Sequence, residues 1–321
     1  MNAKITAIGH YIPDTIIDNK FIQDKYNYDA QRIVERTGIK ERRYVDKGVT
    51  TTDIACFAIN DLLKNTPISI NDIDCIIVGT LTPDFYFPSD AVAVINRLKA
   101  KNAWGFDLSA ACSGFCYGMS IASAMIKAGT IKNAIICGAE RMSATLNNFD
   151  YKTGVLFGDG AGAVLMEATR DEEYKLVGSL CKVQADNLED VYFKTPFNTE
   201  NWNDEKFELD GGRVYDSGVH LMAETIKEYL SKNKLALSDF DYIVPHQSNL
   251  RMLKDVALKL NRTTDFFKIN IEKVGNTGGA SIPICLSDFV KRGEVKKGDR
   301  ILLCSFGAGY TISIIDLVWA I

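Results

Sequence analysis

The residue best suited to covalent chemistry in this 321-residue chain is a cysteine set among small residues. Cys112 lies in the run GFDLSAACSGFCYGMS (105–120), where an apolar segment predicts a strand and an amphipathic stretch up to Lys127 predicts a helix. We expect the positive end of the helix dipole to lower the pKa of this thiol and to raise its thiolate fraction. Unpaired backbone amides at the same turn could stabilise an oxyanion. The pattern predicts a strand–turn–helix nucleophile that carries sulfur.

Two polar residues elsewhere in the chain could assist such a sulfur. His246 ends the strand pattern DYIVPH, and Ser248 or Asn249 could cap a helix that follows it. Asn276 lies in KVGNTGGASIP, where three glycines indicate that the backbone closely approaches a substrate or another segment. Position alone leaves a structural role for His246 as open as a catalytic one.

The elements that must position these residues repeat along the chain. SINDIDCIIV (69–78) and ALSDFDYIV (236–244) are both acidic turns that run into an apolar strand. The repetition predicts two α/β halves of similar topology, 1–168 and 174–321. Strands that alternate with helices indicate largely parallel sheets covered on both faces. The charged segment 182–212 is interpreted as an insertion over the second half.

The duplication explains how the polar residues could meet. Aligning the helix ends at Gly129 and Gly293 places Cys112 opposite Asn276, each at the start of an equivalent helix. Two such helix starts that meet across a pseudo-two-fold axis would form one site from both halves. His246, at a strand end, could reach the same place.

Composition excludes several classes of function. A net charge of −4 argues against a nucleic-acid partner, because phosphate binding needs clustered Lys and Arg. The start of the chain lacks the apolar core of a secretory signal. The apolar segment 301–321 contains Asp316 and a Gly-Ala-Gly turn, which favours two strands over a membrane span. We therefore expect a soluble, cytoplasmic protein with no membrane partner.

Neither the cysteines nor the glycine-rich loop indicates a bound metal or nucleotide. The eight cysteines include no CxxC pair, and the three histidines are far apart in sequence, which argues against a zinc site. FGDGAGAVLME (157–167) has the spacing of a phosphate loop, but AVLME predicts a strand where a phosphate loop needs a helix. A tight turn between strands is favoured, and we expect no metal and no resident cofactor.

Taken together, the motifs resemble those of β-ketoacyl-acyl carrier protein synthase III, a family of the thiolase superfamily. Cys112 in SAACSGF, His246 in VPHQSN and Asn276 in GNTGGASIP occur in the family's order. Further matches are ERTGIKERRYV (35–45), FPSDA (87–91), LFGDGAGAV (156–164) and SFGAGYT (305–311). The resemblance runs from end to end. It implies a thiolase-like α/β fold, with two pseudo-symmetric halves in an α-β-α-β-α sandwich, and a homodimer.

The resemblance also implies a role for each residue of the site. Cys112 would be the acylated nucleophile. His246 and Asn276 would bind the thioester carbonyl of a malonyl group and stabilise the enolate that forms as carbon dioxide leaves. The backbone amides of Cys112 and Ala308 would form the oxyanion hole. Phe87 matches the residue that crosses the dimer interface to wall the acyl pocket.

The implied ligands are thioester substrates, carried by coenzyme A or by an acyl carrier protein. Arg36 lies in the ERTGIK motif and is expected at the coenzyme site. Family members that use coenzyme A stack its adenine between a Trp and an Arg, and here those positions are Arg32 and Tyr151. Arg251 and Lys259 match positions that dock the acidic carrier protein. Fatty-acid initiation and a specialised lipid or polyketide pathway both stay open.

Our hypothesis is an acyltransferase that performs a decarboxylative Claisen condensation of an acyl primer with malonyl-acyl carrier protein. The first alternative is acyl transfer from Cys112 to an alcohol or amine, against which Asn276 argues, since simple transfer needs a base more than a second donor. The second is thioester hydrolysis, which an apolar pocket around Phe87 would disfavour. The third is a non-enzymatic subunit, which has no reason to keep all of Cys112, His246 and Asn276.

Overall fold

The computed structural model describes residues 1–146, 151–194 and 207–321. In these ranges strands and helices alternate along most of the chain. The strands are β1 Asn2–Tyr11, β2 Thr15–Asp18, β3 Glu41–Tyr44, β4 Cys75–Gly79, β5 Trp104–Leu108, β6 Asn133–Arg141, β7 Asp159–Thr169, β8 Leu176–Val183, β9 Val191–Phe193, β10 Phe207–Leu209, β11 Tyr242–Pro245, β12 Arg300–Gly307 and β13 Thr311–Val318. The helices are α1 Asn19–Tyr26, α2 Ala30–Thr37, α3 Thr51–Leu63, α4 Asp90–Leu98, α5 Gly114–Lys127, α6 Gly211–Asn233, α7 Leu250–Lys259, α8 Ile271–Val274 and α9 Ser281–Lys291.

Two mixed sheets form the framework. The first has the strand order β1-β7-β6-β4-β5, and the second has the order β11-β12-β13-β8. Strand β4 runs parallel to β5 and β6, and β11 runs parallel to β12, whereas the remaining pairs are antiparallel. The expectation of largely parallel sheets was wrong. Short connections such as the turn Ala308–Tyr310 between β12 and β13 can only join antiparallel neighbours.

The two sheets have equivalent strand orders. From one edge inward, β1, β7, β6 and β4 correspond to β8, β13, β12 and β11. The place of β5 is taken in the second sheet by Phe267, which forms an isolated parallel bridge with Ile243. Helices α5 and α9 end at Lys127 and Lys291, the positions that the glycine alignment matches. The repetition in the sequence is therefore a repetition of topology.

Helices α5 and α9 form the middle layer of a five-layer α-β-α-β-α arrangement. Both helices pack in one buried cluster with residues from the inner faces of both sheets. On β4, Ile77 belongs to this inner cluster, whereas Ile76 packs with α3 and α4 on the outer face. Helices α6 and α7 cover the outer face of the second sheet. Because each such isoleucine is fully buried, it contributes about 1.5–3 kcal/mol to folding.

The charged segment 182–212 does more than cover the second half. It begins within β8 and contains the antiparallel strands β9 and β10, which pair with each other. The Phe207 ring on β10 meets the Phe157 ring of the first half edge-on, with 5.2 Å between centroids. The segment therefore contacts both halves, and its residues 195–206 lie outside the described ranges.

The apolar end of the chain forms β12, a turn and β13, as the sequence predicted. Within the described ranges, none of the helices combines the length and the apolar character needed to cross a membrane.

A half-buried histidine links the first sheet to the middle layer. His10 Nδ1 on β1 lies 2.8 Å from the Ser287 hydroxyl on α9, and the His10 backbone N–H donates to Asp61. Asp61 in turn pairs with Lys291 at 2.7 Å. Burial, helped by the charge of Lys291, lowers the pKa of His10 to about 4. The imidazole is therefore neutral in the folded protein at neutral pH.

We expect this histidine to make stability depend on pH. Between its folded pKa of about 4 and its unfolded value of 6.5, the unfolded chain binds more protons, so stability falls as the pH falls through that window. The wild type should lose about 2 kcal/mol more than His10→Asn between about pH 7 and pH 5, as urea unfolding would measure. His220→Asn, which changes an exposed histidine on α6, is the control and should follow the wild type. Equal losses in the wild type and His10→Asn would contradict the assignment.

Candidate active site

Cys112 lies in a tight turn between β5 and α5. The turn is a short 3-10 segment, Ala111–Ser113, and Ala111 adopts a positive φ of 49°, which costs a residue with a β-carbon about 1–3 kcal/mol. Thr311 holds the turn from the other half: its hydroxyl donates to the Ala110 carbonyl at 2.9 Å, and its own carbonyl accepts from the Ser113 hydroxyl at 3.0 Å. The strand–turn–helix arrangement predicted for Cys112 is therefore present.

The Ala308 turn packs against the backbone of Cys112. A β-carbon built on Gly307 would lie 2.7 Å from the Cys112 nitrogen, so only glycine allows this approach. Ala308 follows directly and begins the short turn that ends at Tyr310. The Tyr310 hydroxyl donates to the buried carboxylate of Asp190 and so anchors the turn. The two residues whose amides were predicted to form the oxyanion hole thus lie in adjoining segments.

His246 follows the last residue of β11 and is 2% exposed. Its Nδ1 lies 2.6 Å from the Ser281 hydroxyl, which also accepts from the Gln247 backbone N–H. When the Ser281 hydroxyl donates to Nδ1, the imidazole proton lies on Nε2 and is available to a ligand. Burial lowers the pKa of His246 to about 4, so the ring is a neutral donor at neutral pH. Asn249 caps α7, as one of the two predicted caps.

Asn276 is fixed by hydrogen bonds to the first half. Its backbone N–H donates to the Leu156 carbonyl and its carbonyl accepts from the Gly158 N–H, both at 2.9 Å. A β-carbon on Gly158 would lie 2.3 Å from the Val274 carbonyl, which explains the glycine at this approach. The Asn276 Oδ1 accepts from the Gly278 N–H at 2.9 Å. The side-chain NH₂ group is therefore the part of Asn276 left to donate to a ligand.

One turn, Gly278–Ser281 at the start of α9, connects the three predicted catalytic residues. Ser281 holds the imidazole of His246, and Gly278 holds the carboxamide of Asn276. A β-carbon on Gly279 would lie 3.6 Å from the carbonyl oxygen of Ala111, the residue before Cys112. His246, Asn276 and the turn that carries Cys112 therefore all adjoin one segment at the junction of the two halves.

The pKa of Cys112 moves in the direction opposite to our expectation. Burial raises it to about 12, and the negative charge of Glu140 adds to the shift, whereas the backbone hydrogen bond to the sulfur opposes it. Desolvation of a thiolate in this half-buried turn outweighs the dipole of α5. Cys112 is therefore a thiol in the free protein, and the expectation of a resting thiolate was wrong.

A cavity of about 520 Å³ lies near the site, although Cys112, His246 and Asn276 are not among the residues that line it. Leu156, whose carbonyl binds Asn276, forms part of its wall, together with Arg36 and Tyr151. The Tyr151 ring meets the Tyr28 ring edge-on, with 4.9 Å between centroids. Arg32 is exposed on α2 and does not line the cavity. Of the three predicted coenzyme contacts, Arg36 and Tyr151 share a cavity and Arg32 does not.

The same cavity is lined by charges of both signs. Arg36 and Lys152 lie on its wall, and so do Glu189, Glu208 and Asp210 from the charged segment of the second half. Carboxylates at this position oppose a polyanion such as a nucleotide pyrophosphate, whereas the uncharged part of a pantetheine arm is indifferent to them.

The remaining predicted contacts lie on the surface. Phe87 is 84% exposed and follows two further exposed aromatic residues, Phe85 and Tyr86. Arg251 and Lys259 are exposed on α7, where a partner protein could reach them. Their roles at a dimer interface and in carrier docking stay predictions.

The sequence reasoning missed the residues that hold the site in place. Glu140 follows the buried strand pattern AIICGA, and a carboxylate directly after such a pattern signals buried hydrogen-bond partners. Arg42 is fully buried and donates to the Val155 carbonyl at 2.8 Å, which supports the cavity wall. Ser281 and Thr311 carry no comparable signal, because hydroxyl side chains of this kind occur throughout the chain.

Comparison with known proteins agrees with the geometry. Residues 106–185 match the family described as 3-oxoacyl-[acyl-carrier-protein (ACP)] synthase III, and residues 230–319 match its C-terminal part. A β-ketoacyl-[acyl-carrier-protein] synthase III of Clostridium novyi is 40% identical over 328 residues, which cover 99% of each chain. The chain belongs to the β-ketoacyl-[acyl-carrier-protein] synthase III family. The family predicted from the sequence is therefore confirmed.

Solved structures of synthase III enzymes confirm the thiolase-like fold. The 3-oxoacyl-[acyl-carrier-protein] synthase III of Aquifex aeolicus has a TM-score of 0.93 and 36% identity, and the match covers 99% of this chain and 100% of that one. The priming β-ketosynthase of the R1128 polyketide pathway has a TM-score of 0.92 and 27% identity, over 99% of this chain and 96% of that one.

The contact between Gly307 and Cys112 predicts a sensitive position. Gly307→Ala would force its β-carbon against the Cys112 nitrogen and shift the turn, so we expect acylation of Cys112 to slow at least tenfold, or by about 1.4 kcal/mol of barrier. Rapid mixing with an acyl thioester and quenching at set times, followed by intact-protein mass spectrometry, would measure the rate. Gly212→Ala, whose β-carbon meets only an ordinary contact, is the control. Acylation at the wild-type rate in Gly307→Ala would show that the contact is not needed.

Proposed function

We propose that this synthase III family member catalyses decarboxylative condensation of an acyl primer with a malonyl thioester on acyl carrier protein. The observation that carries the proposal is the convergence of Cys112, His246 and Asn276 on the turn Gly278–Ser281. A sulfur nucleophile and two neutral hydrogen-bond donors at one place suit a reaction that first captures an acyl group and then generates an enolate. Malonyl thioesters supply that enolate by losing carbon dioxide.

In the first step, the Cys112 sulfur attacks the thioester carbonyl of the primer. A carbon–sulfur bond forms to Cys112, the donor's carbon–sulfur bond breaks, and the thiol proton passes to the released thiol. Because burial keeps Cys112 protonated at rest, the proton must leave as the new bond forms. The backbone amides of Cys112 and Ala308 are the proposed donors to the oxygen of the tetrahedral intermediate.

In the second step, the carbon–carbon bond to the malonyl carboxylate breaks and carbon dioxide leaves. The electron pair moves to the thioester oxygen, where Nε2–H of His246 and the NH₂ group of Asn276 are the proposed donors. A neutral imidazole suits this role because it donates without first needing a proton from solvent. The enolate carbon then attacks the acyl-cysteine, and the Cys112 thiolate leaves and takes up a proton.

The acyl primer is proposed to enter through the cavity whose wall residue Leu156 binds the backbone of Asn276. Arg36 is a cation on its wall and is proposed to meet the phosphate of the incoming phosphopantetheine arm. The exposed cations Arg251 and Lys259 on α7 suit an acidic carrier protein. The likeness to a priming ketosynthase supports a role in starting chains, in fatty-acid synthesis or in a specialised polyketide pathway.

We also propose that the protein acts as a homodimer. Phe85, Tyr86 and Phe87 form a run of exposed aromatic side chains, and the open edge strand β5 carries Trp104, which is 47% exposed. Apolar surface of this kind beside an open strand edge favours pairing with a second copy. The cytoplasmic location inferred from the sequence stays a prediction.

Acylation and decarboxylation should separate in variants of the three residues. Cys112→Ala should form no acyl-enzyme, whereas Cys116→Ala, which removes a buried packing sulfur one turn later, should still acylate. His246→Ala and Asn276→Ala should acylate but release carbon dioxide from carboxyl-labelled malonyl carrier at least a hundredfold more slowly. Mass spectrometry and trapped labelled carbon dioxide measure the two steps.

Other outcomes identify the alternative chemistries. Loss of primer as free acid without carbon dioxide would indicate a thioester hydrolase, and transfer of the acyl group to an added amine or alcohol would indicate a simple acyltransferase. Equal acylation of Cys112→Ala and the wild type would refute the assignment of Cys112 as the nucleophile.

Neighbouring arginines on α2 provide a matched test of the entry route. Arg36→Ala should raise the KM for an acyl-coenzyme A primer about tenfold or more, because one charge-assisted hydrogen bond to phosphate is lost. Arg32→Ala, one turn away and outside the cavity wall, should leave that KM near the wild-type value. Steady-state kinetics would measure both. A larger rise in KM for Arg32→Ala than for Arg36→Ala would instead place the coenzyme next to Arg32.

A further inference from the structure

A fully buried carboxylate lies behind the candidate active site. Glu140 is the penultimate residue of β6 and is 0% exposed. Its Oε1 accepts from the Gly279 backbone N–H at 3.1 Å. Its Oε2 accepts from the Leu81 backbone N–H at 3.0 Å and from the hydroxyls of Thr82 and Thr80 at 3.1 and 3.4 Å. The carboxylate thus joins the loop after β4 to the turn that holds Asn276 and His246.

No cation in the described ranges compensates this charge by an ion pair. Arg141, the next residue, directs its guanidinium to a backbone carbonyl, and Asp159 lies opposite Arg141 in the β6–β7 register. The other titratable groups that face Glu140 are the thiols of Cys112 and Cys137. Burying an unpaired carboxylate costs several kcal/mol, so its four hydrogen bonds must offset most of that cost. A purely packing role would be filled at lower cost by an apolar side chain.

Glu140 lies close to the turn that carries Cys112 and binds the turn that orients Asn276. A β-carbon on Gly279 would lie 3.1 Å from Glu140 Oε1 and 3.6 Å from the Ala111 carbonyl, so the carboxylate and the Cys112 turn flank the same residue. The bond to the Gly279 N–H fixes the turn whose Gly278 N–H orients Asn276. The negative charge, at the same time, disfavours a second negative charge on the Cys112 sulfur.

We propose that Glu140 is a positioning residue that holds the Asn276 turn in its donor geometry and keeps Cys112 protonated until an acyl donor arrives. The first effect rests on the proposed function, whereas the second concerns the free protein alone. Removing the charge should therefore have opposite consequences for the two steps. The sulfur becomes easier to ionise, and the decarboxylation donor loses its support.

Burial raises the pKa of Glu140 to about 7, with hydrogen bonds from Leu81, Gly279 and Thr82 opposing the shift. Its charge therefore changes within the working pH range. Above about pH 7 the carboxylate is ionised and opposes formation of the Cys112 thiolate, and below that pH the opposition weakens. Above pH 7, the alkylation rate of Cys112 should therefore rise with pH less steeply than the alkylation rate of an isolated thiol.

Glu140→Gln tests the proposal, since the amide has similar shape but no charge and cannot accept from both Gly279 and Leu81. We expect iodoacetamide to alkylate Cys112 about tenfold faster at a fixed pH near 8, which corresponds to one pKa unit. We expect carbon dioxide release from malonyl carrier to slow at least tenfold. Glu140→Asp keeps the charge and should alkylate at nearly the wild-type rate. The exposed Cys181 serves as the alkylation control within each sample.

Opposite movement of the two rates supports the proposal, and a parallel fall in both would reduce Glu140 to a structural residue. Alkylation of Cys112 in Glu140→Gln at or below the wild-type rate would overturn the charge effect. If Glu140→Gln does not fold, the charge effect is tested by the pH profile of Cys112 alkylation in the wild type and in Glu140→Asp. A wild-type profile without an inflection near pH 7 would overturn that effect. The alkylation needs no acyl donor, so its result stands even if the wild type fails to condense.

Discussion

The burial of two helix starts between two sheets is the constraint on which the rest of this structure depends. Helices α5 and α9 are enclosed by apolar residues from both sheets, so polar groups find partners mainly at the turns where these helices begin. Cys112 precedes α5, and Asn276 precedes α9. Because equivalent helices approach the same junction, a nucleophile from one half and a donor from the other meet without any long loop.

Low polarity at that junction sets the protonation of each group. Burial raises the pKa of Cys112 to about 12 and that of Glu140 to about 7, and it lowers that of His246 to about 4. All three shifts favour the neutral form, as desolvation requires. The site therefore starts from a thiol and a neutral imidazole, beside a carboxyl group that is ionised above about pH 7.

The sequence was sufficient for the fold class and for the local setting of Cys112, His246 and Asn276, because each lies in a short pattern of strand, turn and helix. It failed on the strand directions, since β13 returns from β12 by a short turn that periodicity does not reveal. It also failed on the pKa of Cys112, because helix position is visible in a sequence and desolvation is not. Ser281, Thr311 and Arg42 act through contacts with residues distant in the sequence, which no local pattern records.

The protonated state of Cys112 also affects how the protein tolerates oxidants. Peroxide reacts with thiolates and not with thiols, so a sulfur that stays protonated at rest is slow to form a sulfenic acid. The buried sulfurs of Cys116, Cys137, Cys285 and Cys304 have raised pKa values for the same reason. Desolvation at the centre of the molecule thus protects the reactive sulfur chemically during the intervals between turnovers.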